Sequence, residues 1–290
     1  MVIIKIMGGL GNQMFQAALY KSMEIEGKEV KADLTHIQKY GNIHNGYELK
    51  RIFGLDLAEA SEKEINKFAD LRLTRGGRLK RKIGGIRKAT HYLEQAYEYK
   101  PEILGLNTIY LEGYWQTEKY FKNIRSEILK MFTFPHIVDK KNKECLSEIL
   151  NNESVAIHIR RGDYLSGDNL DNYGNICTKA YYSRAIAYIQ NHVTNPFFYV
   201  FSDEIEWIQK NFDLGSIRLV NWNSDNKSFL DMQLMSLCKH QIIANSTFSW
   251  WAAWLNQNPD KIVIMPEKWM NYTENPDIGC EGWIRLGADG

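Results

Sequence analysis

The chain of 290 residues has little net charge, because 36 Lys and Arg residues balance 35 Asp and Glu residues. A net charge of +1 gives no field over the whole protein that would attract nucleic acid. No 18 uncharged apolar residues run together, and the first residues, MVIIKIMGG, are interrupted by Lys5 and too short for the apolar core of a signal peptide. We therefore expect a cytoplasmic protein that binds no nucleic acid.

Cysteine is also scarce. Cys145, Cys177, Cys238 and Cys280 lie far apart and form no C-x-x-C pair, which argues against both a zinc cluster and a disulfide framework. Reduced, mostly buried thiols are the expectation for such isolated cysteines. With 44% hydrophobic and 24% charged residues, the chain is long enough for two ordinary globular domains.

Short apolar strands alternate with amphipathic helices along most of the chain. The N-terminal half begins with a βαβ pattern, in which a strand at Val2 to Ile6 precedes a helix at Phe15 to Met23 and a strand at Val30 to Leu34. From Ser154 onward, five such strands alternate with four helices. Strands joined by crossover helices form a parallel sheet that is covered on both faces.

This alternation predicts the fold class and the domains. We predict an α/β fold with two Rossmann-like domains facing each other across a cleft, residues 1–150 and residues 151–290, with a hinge near residues 134–152. The C-terminal domain should be doubly wound. Ligands of open parallel sheets lie at the carboxyl ends of the strands, and the sequence has three unusual loops at such ends.

The first loop, MGGLGNQMFQ, follows the first predicted strand. Gly9 and Gly11 allow the backbone to approach a ligand closely, and the next helix N-terminus favours an anion. Met14 stands where the dinucleotide-binding motif needs a third glycine, and the ending of a P-loop is missing. A tight turn and a ligand site both fit. The amides of Asn12 and Gln13 favour a site, since amides hydrogen-bond sugar hydroxyls and phosphate oxygens.

The second loop, HIRRGDY, ends the strand that opens the C-terminal domain. Arg160 and Arg161 leave the sheet edge together, and their guanidinium groups suit the oxygens of a diphosphate. His158 shares a strand face with Arg160. A salt-bridged arginine pair, with Asp163 as one partner, is the alternative.

The third loop, NSTFSWWAAWL, precedes a helix. Asn245, Ser246 and Thr247 are residue types that cap helices, and with the helix N-terminus they would form a second anion site, although capping alone explains them equally well. The tryptophans that follow have the spacing of a packed helix face. Asp203 ends a further strand, where its carboxylate suits a ribose or guanine N–H or caps a helix.

A basic stretch lies between the motifs of the N-terminal half. It contains four glycines and no acidic residue, and it predicts either a solvated loop or a peripheral contact with an acidic glycan or an anionic surface such as the inner membrane. Its basic residues are Arg72, Arg75, Arg78, Lys80, Arg81, Lys82, Arg87 and Lys88.

Taken in order, the motifs resemble glycosyltransferase family 11, the α-1,2-fucosyltransferases. The segments that carry the resemblance span nearly the whole chain: GGLGNQMFQ, YELKRIF, GYWQTEKYF, HIRRGDY, FSDE and NSTFSWWAAWL. The resemblance implies a GT-B fold and a bacterial, inverting enzyme that makes surface polysaccharide or O-antigen. It would move L-fucose from GDP-β-L-fucose to O2 of a terminal β-galactoside, with GDP held by the C-terminal domain and the acceptor by the N-terminal one.

The resemblance also implies roles for single residues. Arg160 would be the catalytic ligand of the β-phosphate, Arg161 would lie beside it, and Asp203 would recognise guanosine. The other residues assigned to donor binding are Gly9, Gly11, Asn12, Gln13, His158, Asn245, Ser246, Thr247 and Ser249. On the acceptor side, Tyr114 and Trp115 offer rings to a sugar and Gln116 an amide, although packing at a helix start explains the two rings equally well.

No D-x-D triplet occurs in the sequence, so the usual metal ligands of many sugar transferases are missing. We expect neither a metal nor another cofactor, and cationic side chains would stabilise the leaving GDP. Asp33 and Glu48 are candidates for a general base by location alone. The alternatives are a fucosyltransferase of other linkage or acceptor, and a nucleotide-sugar-binding module without catalysis. The sequence predicts neither the exact acceptor nor an oligomeric state.

Overall fold

A computed structural model describes residues 1–40, 45–70, 88–160, 162, 167–202, 204–212 and 217–287. Arg161, Asp203 and the basic stretch as far as Arg87 lie outside these residues. The chain divides into two compact units, Met1–Thr133 and Phe134–Gly290.

The described part of the N-terminal unit is built on a parallel sheet of four strands in the order β2-β1-β4-β3. The central strand β1 is apolar and buried because helices and loops cover both faces of the sheet. The predicted βαβ start is confirmed, and β3 and β4 are additions to it. The strands are β1 (Val2–Lys5), β2 (Val30–Asp33), β3 (His91–Leu93) and β4 (Ile109–Glu112).

Helix α1 (Leu10–Ile25) begins five residues before the predicted start at Phe15 and includes Gly11 in its first turn. The later helices of this unit are short. Ser61 and Glu64 form a capping box at the start of α4. The later helices are α2 (Thr35–Tyr40), α3 (Glu48–Phe53), α4 (Glu62–Phe68), α5 (Glu102–Gly105) and α6 (Arg125–Met131), with 3-10 turns at Glu118–Tyr120 and Lys122–Ile124.

Lys88, the last residue of the basic stretch, has a structural role at the other end of α4. Its Nζ donates to the carbonyl oxygens of Asn66, at 2.6 Å, and Ala69, at 2.9 Å. A cation that binds the last carbonyls of a helix complements the helix dipole. Lys88 therefore caps a helix, while the contact of the basic stretch with a membrane or a glycan stays a prediction.

The C-terminal unit contains a parallel sheet whose described strands have the order β10-β9-β8-β5-β6-β7. The five predicted strands are confirmed, and the three-residue strand β10 joins them at one edge. β5 lies in the interior and pairs with both β6 and β8. The strands are β5 (Glu153–Ile159), β6 (Pro196–Ser202), β7 (Ile217–Val220), β8 (His240–Ile242), β9 (Val263–Pro266) and β10 (Ile284–Leu286).

Helices follow the strands of this unit as predicted, and α7 and α8 were not predicted. In α12 the rings of Trp250, Trp251 and Trp254 are fully buried and lie 5.1–6.4 Å apart, which confirms that they pack in the core. The helices are α7 (Lys140–Asn151), α8 (Gly167–Tyr173), α9 (Lys179–His192), α10 (Ile205–Asn211), α11 (Phe229–Leu237) and α12 (Thr247–Leu255).

The two units meet in sequence at Thr133 and Phe134, at the start of the predicted hinge region and before the predicted boundary at residue 150. The difference concerns α7, which belongs to the C-terminal unit. Asn142 of α7 donates to Asn223 at 2.8 Å and accepts from the indole N–H of Trp222 at 2.9 Å. Such buried amide contacts have no periodic signal in the sequence.

All four cysteines are free thiols, and only Cys280 is partly exposed. Burial raises the pKa of Cys177 to about 12. Within the described ranges, no helix is both long enough and apolar enough to cross a bilayer.

Candidate active site

The carboxyl edge of the C-terminal sheet borders a cavity of about 240 Å³. Arg160 follows β5 directly, and Asn245 lies three residues after β8. Arg160 and Lys179 bring two cations, and none of the described residues that line the cavity is acidic, so it favours an anion. The lining residues are Arg160, Tyr173, Gly174, Asn175, Cys177, Thr178, Lys179, Trp207, Asn211 and Asn245.

His158 lies close to this cavity but is buried. Its Nδ1 lies 2.8 Å from Oγ of Ser249 in α12, so the two side chains tie β5 to the helix. Burial, and then the charge of Arg160, lower the pKa of His158 to about 3, so the ring is neutral at physiological pH. His158 and the fully buried Ser249 therefore support the end of β5, and their assignment to donor binding stays a prediction.

Asn245 lines the cavity, but protein atoms hold its amide. Its Nδ2 donates to the carbonyl oxygens of Tyr173, at 3.2 Å, and Trp269, at 3.1 Å. Ser246 caps α12 and accepts from the backbone N–H of Phe248 at 3.4 Å. Both residues are buried, and their hydrogen bonds hold the local backbone in place. Thr247 stays partly exposed.

The N-terminus of α9 was not among the site features predicted from the sequence. Thr178 caps this helix, since its side chain accepts from the backbone N–H of Tyr181, and Lys179 is the first helical residue. A lysine in the first turn opposes the helix dipole. This unfavourable placement could have indicated an anion site from the sequence, because a cation at this place is favourable when an anion is bound there.

The glycine-rich loop of the N-terminal unit also differs from its predicted role. Gly8 has φ +79°, and a Cβ atom there would lie 2.7 Å from Nδ2 of Asn12, so Gly8 is the glycine that the turn requires. Gly9 has an extended backbone before α1, and Gly11 is buried inside the helix.

The glutamines of this loop are buried clamps. Nε2 of Gln13 donates to the carbonyl oxygens of Gly8 and Gly46, both at 2.9 Å, and its Oε1 accepts from the backbone N–H of Glu48 at 3.0 Å. Gln13 has no exposed surface and its amide is occupied, so it clamps the loop, and its assignment to donor binding stays a prediction. Gln16 clamps the chain in the same way, with Met7 and Gly113 as partners.

Asn12 and Gln116 were assigned to different ligands, yet they contact each other. Nε2 of Gln116 donates to Oδ1 of Asn12 at 3.0 Å, and both side chains are half-buried. Tyr114 is half-buried as well. Trp115 is only 1% exposed and packs edge-on against Tyr120, so its ring has no open face for a sugar. The ring of Trp115 is packed, which agrees with the alternative that the sequence left open, and its acceptor role stays a prediction.

The two carboxylates suggested as general bases are occupied. Asp33 accepts from the hydroxyls of Tyr110 and Thr35, both at 2.6 Å. Glu48 pairs with Arg51 at 2.8 Å, and burial raises its pKa. Both are almost fully buried, and their candidacy as bases stays a prediction. In the part of the chain that the structure describes, no three His, Cys, Asp or Glu side chains are grouped to hold a metal.

The fold and the cavity define a Rossmann-like α/β protein with a cationic cavity at the carboxyl edge of its C-terminal sheet. The chain belongs to glycosyl transferase family 11, whose model matches residues 1–286. The family resemblance of the motifs is thereby confirmed.

Individual relatives show the same relationship. The chain is 33% identical to an alpha-1,2-colitosyltransferase of Escherichia coli over 98% of both chains. It is 30% identical to the O-antigen biosynthesis glycosyltransferase WbnK of Escherichia coli, over 96% of this chain and 98% of that one. It is also 24% identical to galactoside alpha-(1,2)-fucosyltransferase 2 of Oryctolagus cuniculus, over 67% of this chain and 60% of that one.

A solved structure shares the fold. A mutant of Arabidopsis thaliana FUT1 in complex with GDP matches 90% of this chain and 69% of its own, with a TM-score of 0.50 and 13% sequence identity. The α/β fold class of the GT-B kind is thereby confirmed.

Proposed function

We propose that this protein is a galactoside α-1,2-L-fucosyltransferase. It transfers L-fucose from GDP-β-L-fucose to O2 of a terminal β-galactoside, with inversion at the anomeric carbon and without a metal ion. The names of two relatives, an α-1,2-colitosyltransferase and an α-(1,2)-fucosyltransferase, support the linkage.

The cationic cavity at the ends of β5 and β8 is the observation that carries the proposal. The guanidinium of Arg160 would bind the diphosphate and stabilise the charge that develops as the bond from C1 to the phosphate oxygen breaks. Lys179 and the N-terminus of α9 add positive charge beside it. Cations at these places supply the stabilisation that a metal ion supplies in other transferases, and the absence of a D-x-D triplet from the sequence agrees with that.

Colitose is the specific alternative to fucose as the donor sugar, because a relative at 33% identity is an alpha-1,2-colitosyltransferase. Colitose is L-fucose without its 3-hydroxyl. A site that hydrogen-bonds a hydroxyl rejects the analogue without it by about 10⁴-fold, whereas a site without that bond discriminates weakly. The motif resemblance favours fucose, and colitose is the second candidate.

One relative is described as an O-antigen biosynthesis glycosyltransferase of Escherichia coli, and that description supports a role in surface glycan synthesis. On the acceptor side, the half-buried amides of Asn12 and Gln116 and the ring of Tyr114 suit a neutral sugar that carries many hydroxyls.

The test is GDP release by the purified protein in excess EDTA, with GDP-fucose or GDP-colitose as donor and with or without lactose, followed by mass and linkage analysis. Lactose-dependent release from GDP-fucose and a fucosyl-α-1,2-galactose product would support every part of the proposal. Preference for GDP-colitose would favour the second candidate. Donor binding without turnover on a panel of galactosides would favour a binding module, and no binding of either donor would refute the donor assignment.

A further inference from the structure

Glu94 lies at the carboxyl edge of the N-terminal sheet, directly after β3. The neighbouring strand β4 ends at Glu112, and the segment that follows it, residues 113–116, contains the predicted acceptor residues. Glu94 is half-buried, unlike Asp33 and Glu48. It is therefore a carboxylate at a ligand-binding edge that retains access to solvent.

The backbone after β4 is shaped around this carboxylate. The N–H of Tyr114 donates to Oε2 of Glu94 at 2.6 Å, and the N–H of Trp115 is shared between the same oxygen, at 3.2 Å, and Oε1, at 3.3 Å. A Cβ atom on Gly113 would lie 2.6 Å from Cβ of Glu94, so only glycine fits there. Trp115 has φ +56°, a costly conformation for a bulky residue that is typical of functional sites.

The carboxylate retains hydrogen-bonding capacity. Two N–H donors fill part of the roughly four lone-pair sites that a carboxylate offers. Burial raises the pKa of Glu94 to about 6, so the group is ionised at neutral pH and close to the range that suits a general base. The ionisable groups that interact with it from the segment after β4 are Tyr114 and Tyr120, whereas Glu112 at the end of β4 is paired with Lys5 and His91.

Groups suited to a sugar flank Glu94. The rings of Tyr97 and Tyr114 stack with centroids 6.5 Å apart and planes 13° from parallel. Oε1 of Gln116 is buried and has no hydrogen-bond partner among the described residues, while its Nε2 binds Asn12. The aromatic pair and the carboxylate can receive the apolar face and a hydroxyl of one sugar.

We propose that Glu94 is the general base of the transfer reaction, an inference that rests on the proposed function. The oxygen of the acceptor hydroxyl forms its bond to C1 of the donor sugar as its proton passes to a carboxylate oxygen of Glu94. The bond from C1 to the phosphate oxygen breaks, and its electron pair leaves with GDP. Glu94 then returns the proton to water.

The variant Glu94→Gln separates this role from loop anchoring, because an amide oxygen can accept the same two backbone N–H groups while the amide cannot take a proton near pH 6. We expect kcat to fall about 10²–10⁴-fold, with the donor KM within twofold of wild type and the melting temperature nearly unchanged. The acid limb of the kcat/KM profile for the acceptor, expected near pH 6, should disappear. Glu98→Gln, at an exposed glutamate in the same segment, is the matched control and should behave as wild type.

The outcomes distinguish the two proposals. If the wild-type protein transfers sugar from neither GDP-fucose nor GDP-colitose, the proposed function fails and the role of Glu94 falls with it. If the wild-type protein is active and folded Glu94→Gln keeps kcat within fivefold, Glu94 is only an anchor and the proposed function stands. A lower kcat that leaves the acid limb in place would also overturn the inference, because an anchor can slow turnover without titrating.

Discussion

The two sheets of this protein have the same design and carry opposite chemistry at their carboxyl edges. The N-terminal edge presents the amides of Asn12 and Gln116 and the carboxylate of Glu94, whereas the C-terminal edge presents the cations Arg160 and Lys179. Both edges are ends of parallel strands that lead into helices. The contrast shows that a few side chains set what each edge can bind, while the fold supplies only the edge.

The largest effect should come from removing the central cation of the C-terminal edge. We expect Arg160→Ala to lower kcat at least 100-fold, since loss of a group that stabilises transition-state charge costs about 2.7–4 kcal/mol. Arg160→Lys should lie in between, because it keeps the charge and loses the bidentate fork. Donor turnover and circular dichroism of each variant are the measurements.

Arg285→Ala is the matched control for that experiment, because Arg285 has an exposed side chain and does not line the cavity. It should turn over as wild type. A folded Arg160→Ala that is nearly as active as the parent would remove the catalytic role from Arg160 and make Arg161 the next residue to test.

Substitutions at the N-terminal edge should instead lower the free energy of unfolding. Gln13→Ala leaves the carbonyls of Gly8 and Gly46 and the N–H of Glu48 without their partner. We expect a loss of about 3 kcal/mol in the free energy of unfolding, because a buried group left unsatisfied costs about 1–3 kcal/mol. Urea denaturation measures it. The exposed Gln38→Ala should change the free energy by less than about 0.5 kcal/mol, and equal losses in both variants would contradict the clamp.

The pH dependence of stability is a further property in which the C-terminal edge should differ. The folded pKa of His158, about 3, lies below its ordinary value, so its contribution to stability is full above about pH 6.5 and is lost as pH falls toward 3. Between pH 7 and pH 5 the wild type should lose about 2 kcal/mol more than His158→Gln, at about 1.4 kcal/mol per pH unit. Urea titrations at both pH values test this, and parallel losses would mean that His158 takes a proton in the folded protein.

The smallest effect is expected at Lys179, whose side chain is exposed. Lys179→Ala should raise the donor KM about two- to fivefold with little change in kcat, because exposed ionic contacts contribute about 0.2–1 kcal/mol. The difference should shrink in high salt. Steady-state kinetics at low and high salt measure it against Lys143→Ala on α7, which should match wild type at both.

Much of the fold could be predicted because the long strands are apolar and the helices between them are amphipathic. β5 and β6 have seven residues each and give a clear signal. β3 and β10 have three residues each, HYL and IRL, and are too short to show a period of two. Their strand character comes from the neighbours with which they pair.

The site was less predictable because its residues act through distant partners. The sequence places Arg160 and Asn245 at strand ends, and the structure brings both to one cavity. It does not reveal that Gln13 binds a backbone 33 residues away or that His158 binds Ser249 across 91 residues. The positive φ and the burial of Trp115 cannot be read from the sequence for a similar reason, since they follow from contacts rather than from residue type.

The interior position of β5 also bears on how the protein is made. β6 follows β5 closely in the chain, but the strand that pairs on the other side, β8, is translated much later. At about 5–20 residues per second, roughly 4–17 s of synthesis separate Arg160 from Asn245. During that interval the nascent chain exposes one unpaired edge of β5, which is a template for pairing with another chain. β5, the strand that ends just before the central cation, is therefore the segment of the C-terminal unit for which a chaperone at the ribosome would matter most.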